Sequence, residues 1–115
     1  MREYSKSAQK ELRKLAGLAN DRELEGALAE LEAHFSRWRR GEISPYELND
    51  LVHAHHDGVS RELWGFYKDK PDSTVPIAIA KGVIAEEEVP AKLMGQIRES
   101  VRHARDMRST PPNEE

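Results

Sequence analysis

Leu24, Leu28, Leu31, Phe35 and Trp38 are separated by four, three, four and three residues. That heptad spacing lays a narrow apolar stripe along one side of an α-helix. Leu12, Leu15 and Ala19 form a shorter stripe upstream, with Ser5 in position to be an N-cap. The two stripes are out of phase, because the step from Ala19 to Leu24 is five residues. Gly17 and the run Asn20-Asp21-Arg22-Glu23 lie at that slip, and Asn20 with Glu23 has the pattern of a capping box. The spacing predicts two helical pieces with a break or kink near residues 17–21. Stripes of this kind suit a chain in which 34% of residues are charged and 37% hydrophobic, since a bundled helix needs only one apolar stripe.

The remaining punctuation continues the helical reading. Gly41 follows Arg37-Trp38-Arg39-Arg40, where cations suit the negative end of the helix dipole. Ser44-Pro45-Tyr46-Glu47 then restarts a helix, with Ser44 as N-cap, Pro45 at the first position and Glu47 closing the box. This helix is expected to run to about Asp57-Gly58. Gly58 either ends it or kinks a longer helix that carries Leu63, Trp64, Phe66 and Tyr67. The segment KDKPDSTVP reads as a loop with Pro71 and Pro76 setting its ends. For residues 75–84 helix and strand compete, as in any short apolar run. Strand partners are missing elsewhere, which favours helix over 75–81 with Gly82 as its stop. Pro90 opens a last helix with Leu93, Ile97, Val101 and Ala104 along one side. The expected fold class is all-α, a compact bundle of five or six short helices. The chain of 115 residues fits one domain, placed at residues 1–107, with a disordered polar tail at 108–115.

The candidate chemistry centres on LNDLVHAHHDGVSRELW, where three of the five histidines fall within four positions. At 100° per residue from Pro45 the cluster divides. Leu48, Leu51, Val52 and His55 share one arc. Tyr46, Asn49, His53, His56 and Asp57 lie on the opposite side, forming a polar, ring-rich face suited to binding. His55 reads as a packed histidine with a hydrogen-bonded ring. His53, His56 and Asp57 present two imidazoles and a carboxylate within about one turn, and zinc or manganese would need a further ligand from another helix. His34, Glu30 and His103 are the candidates. Without that ligand the three residues are simply a solvated helix end, where cationic imidazole is favoured. The order His34 … His56-Asp57 … Asp resembles the ligand order of HD-type metal-dependent phosphohydrolases. The likeness implies a metal-dependent hydrolase, but it covers only these positions, and Asp69, Asp72 and Asp106 sit in no corresponding motif.

Arg98, Arg102 and Arg105 border the apolar arc of the last helix, and with residues 37–40 they would make a basic edge for phosphates or an acidic partner. Alternatively their stems cover the core margin. The net charge of -3 gives no general pull towards nucleic acid or anionic membrane, and no segment approaches the roughly 20 apolar residues of a membrane span. The absence of cysteine excludes disulfides and thiolate chemistry. No serine stands beside a histidine with an orienting acid, and no P-loop, dinucleotide turn or HExxH is present. The first residues lack the apolar core of a secretory signal, so the expected location is cytoplasmic. SPYELNDLVHAHHDGVSRELW followed by GVIAEEEVP is similar to short bacterial helical proteins without assigned activity, over about residues 4–105. That likeness implies a self-contained all-α domain and transfers no catalytic role. The leading expectation is a non-enzymatic module that binds a protein partner or forms a homodimer, with metal binding or hydrolysis second and weak nucleic-acid binding third.

Overall fold

The computed structural model describes residues 4–109. Its elements are α1 (Lys6–Arg39), α2 (Pro45–Ala54), a π-helical turn (His55–Ser60), α3 (Arg61–Asp69), α4 (Pro71–Ala80), a short 3-10 turn (Glu86–Glu88) and α5 (Ala91–Ser109). No strand occurs among the described residues. The fold is all-α, but α2, the π turn and α3 run on without interruption as one helix. Four helical rods result, fewer than the five or six expected.

Helix ends follow the local chemistry. Ser5 accepts from the Ala8 amide at 3.1 Å. The Ser44–Glu47 box is closed in both directions, at 3.0 and 2.8 Å. Gly41 and Gly82 have φ of 78° and 84°, the left-handed conformation that glycine adopts without a Cβ penalty. After each, two amides turn back onto the helix: Glu42 to Arg37 and Gly41 to Trp38, then Val83 to Ala78 and Gly82 to Ile79. These are Schellman endings.

Two expectations are corrected. Residues 17–21 do not break the chain into two helical pieces; α1 is one helix of 34 residues. The phase slip is instead an angle between two packing partners. Leu12, Leu15, Ala16 and Ala19 belong to the main core, while the later stripe meets α2 and the π turn. The segment 68–76 is not a loop either. Helix α3 ends at Asp69, and α4 starts at Pro71, the position where a missing amide hydrogen does no harm. Pro76 lies inside α4, where it has no amide hydrogen to give the Asp72 carbonyl. Helix α4 packs against both α1 and α5, with Thr74, Val75, Pro76, Ala78 and Ile79 all buried. A helix covered on several sides carries no clear apolar period.

The core lies at one end of the molecule. It joins Leu12, Leu15 and Ala19 to Val75, Ile79, Ile84, Val89, Leu93, Ile97 and Val101, with Tyr67 at its edge. Arg22 fastens the 82–90 loop to α1: its guanidinium donates twice to Glu88, at 2.7 and 2.9 Å, and once to the Val83 carbonyl at 2.8 Å. Beyond Arg22 and Glu23 the second half of α1 leaves the core and pairs with α2 and the π turn to form a two-helix arm. Arg108 and Ser109 continue α5, so the expected tail does not begin at 108; the remainder of it lies outside the described residues. The Cα radius of gyration is 17.6 Å and the extents are 53 × 41 × 24 Å. A compact chain of this length would have a radius near 13 Å.

Candidate functional site

A helix pair can bury only the seam between its members, and the arm shows this limit. From Asn20 to Phe66, Leu48 alone is buried; Leu24, Leu31, Phe35, Leu51, Val52 and Leu63 are half-covered. Leu28 is 48% exposed and Trp38 37%. Among the described residues, every exposed large apolar side chain except Met107 belongs to the arm or to α3 continuing from it: Leu28, Trp38, Tyr46, Val59, Trp64 and Phe66. Ala27 and His34, on the flank of the α1 stripe, are half-buried, whereas Glu25, Leu28, Ala29 and Glu32 are exposed. Glu25, Leu28, Leu31, Glu32 and Phe35 line an open groove of about 580 Å³.

The π turn explains how α2 and α3 present their faces. Leu48 and Tyr67 are nineteen positions apart, which in an unbroken α-helix would turn them roughly 100° from one another. The wider π turn absorbs one residue and brings both to the covered side. Val59, in phase with Leu48 by α-helical counting, is 45% exposed instead. Gly58 neither ends the helix nor needs a positive φ; it lies within the turn. The register places the Tyr67 hydroxyl to donate to the Glu23 carboxylate, which also takes Lys81 Nζ at 3.0 Å. Burial, followed by this bond to Glu23, pushes the Tyr67 phenol above its ordinary range. Phe66 packs edge-on against Tyr67, centroids 4.8 Å apart, and Lys68 lies over Trp64 at 4.2 Å.

Tyr46, Asn49, His53, His56 and Asp57 are all exposed, and His55 is half-buried alongside Leu51 and Val52. Among the described residues no three His, Asp or Glu side chains come together as a metal site requires. His53, His56 and Asp57 face solvent, while His34 is half-buried on α1 with its Nδ1 3.3 Å from the Arg37 guanidinium. A fixed cation in that position opposes a metal ion. His103 lies elsewhere, in an 820 Å³ groove bordered by Tyr4, Pro76, Ile77 and Met107. At the arginine edge, Arg98 and Arg105 both reach Glu86, at 3.7 and 3.0 Å, and Arg102 reaches Glu99 at 3.2 Å. Each cation there has a carboxylate beside it.

No family model, curated protein or solved structure matches this chain. No helix of the described residues is long and apolar enough to cross a membrane. Sequence reasoning missed the tethers Arg22–Glu88 and Glu23–Lys81–Tyr67, because Asn20 to Glu23 imitates a helix start. It also missed the open flank of the α1 stripe. The signal for that flank is Glu25, Glu32 and Arg39, charged residues repeating every seven along one border.

Proposed function

We propose that this chain is a non-enzymatic helical module that binds protein through its arm. One observation carries the reading: apolar and aromatic side chains stay uncovered along two helices that bury a single residue between them. Isolated exposed apolar residues are ordinary, but Leu28, Leu31 and Phe35 line one open groove, and an apolar patch of that kind supports an interaction surface. Tryptophan, tyrosine and arginine, the residue types richest in binding hot spots, occur on the arm as Trp38, Tyr46, Arg37 and Arg39. The outer face with Asn49, His53, His56 and Asp57 supplies polar contacts beside them. The fastened core lobe is the scaffold from which the arm projects.

A photo-crosslinking residue at position 28 tests the reading against one at position 92, an exposed site on the core lobe. Adducts to protein are expected from position 28 and not from position 92. Equal labelling from both, or none from position 28, removes the arm as the binding element.

A further inference from the structure

We infer that the occupant of the open α1 face is a second copy of the same chain, docked antiparallel about a two-fold axis between Glu32 and Ala33. This rests on the arm being the binding element. In heptad terms Leu28 and Phe35 are a positions, and Leu24, Leu31 and Trp38 are d positions. Glu25, Glu32 and Arg39 then occupy successive e positions. Residues 27 and 34, the g positions, are half-buried and all three e positions are exposed, so the e flank is the one open to a partner. Among the described residues Glu25 and Glu32 make no ion pair, and Arg39 makes only a stacking contact, 5.8 Å from the Trp38 ring centre. The neighbouring Arg37 and Arg40 are held by Glu42.

In an antiparallel pair, e positions face e positions. The stated axis sets Glu25 against Arg39 of the second copy, and Arg39 against its Glu25. The same register lays Leu28, the most exposed member of the stripe, against Trp38 of the second copy, the next most exposed, and Leu31 against its Phe35. A parallel pair would instead set Ala27 by Glu32 and His34 by Arg39, with no attraction to gain. Sliding the antiparallel pair by one heptad towards the amino termini would bring Glu25 against Glu32, a repulsion. Sliding it the other way would set Glu32 against Arg39 but leave only Phe35 against Trp38 of the apolar stripe in overlap. Charge therefore selects the direction, and charge together with apolar overlap selects the register. The shared strip of residues 24–39 is about 24 Å long and one helix wide, narrow beside the roughly 800 Å² per partner of a standard interface. The pairing belongs to the weak, concentration-dependent class.

Sedimentation of the purified full chain from about 10 μM to 1 mM tests this. Wild-type protein is expected to shift from monomer to dimer across the range. Glu25→Arg and Arg39→Glu each replace two attractions with two repulsions and weaken pairing by about tenfold. The double variant Glu25→Arg/Arg39→Glu restores it to near wild type, and Glu32→Gln tightens it by relieving the like charges at the axis. Circular dichroism of each variant confirms that folding is retained. A wild type that stays monomeric, or a double variant no better than the singles, overturns the proposal. If the chain stays monomeric while position 28 crosslinks specifically to a different protein, the second-copy assignment falls and the arm reading stands. If there is neither self-association nor adduct at 28, both fall.

Discussion

Two side-chain tethers at the base of the arm decide how the two halves of the chain stay joined. The guanidinium of Arg22, with help from the Ala85 amide, holds the Glu88 carboxyl down at about 2. A carboxyl whose folded value lies below its unfolded value stabilises fully above the unfolded value. That contribution is lost as pH falls through the folded one. Wild-type protein should therefore lose stability between about pH 4.5 and 2, and Glu88→Gln should flatten this limb in acid titrations followed by circular dichroism. Tyr67→Phe removes the hydroxyl that donates to Glu23 while Lys81 remains. Its expected cost is about 1–2 kcal/mol, read as a lower denaturant midpoint at unchanged slope. Glycines separate by their backbone. An added Cβ at Gly26 meets nothing within 4 Å in the middle of α1, so Gly26→Ala should stabilise by about 0.5–1 kcal/mol. Gly82, at φ 84°, should lose stability by a similar amount on the same change.

At the scale of elements, the π turn makes a prediction that is asymmetric in chain length. Deleting Val59 lets the turn relax to an α-helix with Leu48 and Tyr67 still on one side, so the variant should fold and keep a midpoint close to wild type. Inserting one alanine after Val59 rotates Tyr67 by about 100° and breaks its bond to Glu23, so its midpoint should fall by more. Helix ends were legible in the sequence because caps are local: Ser5, the Ser44–Glu47 box, Gly41 and Gly82 all act within a few residues. The π turn was not legible, since counting a constant 100° per residue cannot reveal one absorbed residue. Helix α4 hid its start for a related reason: packed against both neighbours, it shows no period beyond Pro71. The outward placement of Tyr46, Asn49, His53 and His56 could be read by angle. The open flank of the α1 stripe could not be read from the stripe itself, which looks the same whether or not a third helix covers it; only the charged border Glu25, Glu32 and Arg39 marks it.

For the molecule as a whole, burial is concentrated at one end, and local stability should follow it. Amides of the arm, residues 24–60, should exchange with deuterium well before those of α4 and α5, since opening the arm exposes few buried groups. Uniform protection along α1 in dilute solution would contradict this. The lobes nevertheless share α1, and a helix of 34 residues without a break leaves no hinge between them. Such a strut acts as a ruler. If two copies meet near Ala33, their Leu15 side chains are held about 50 Å apart at opposite ends of one assembly. Whatever surface the core lobe offers would then be displayed twice, at a spacing set by residue count.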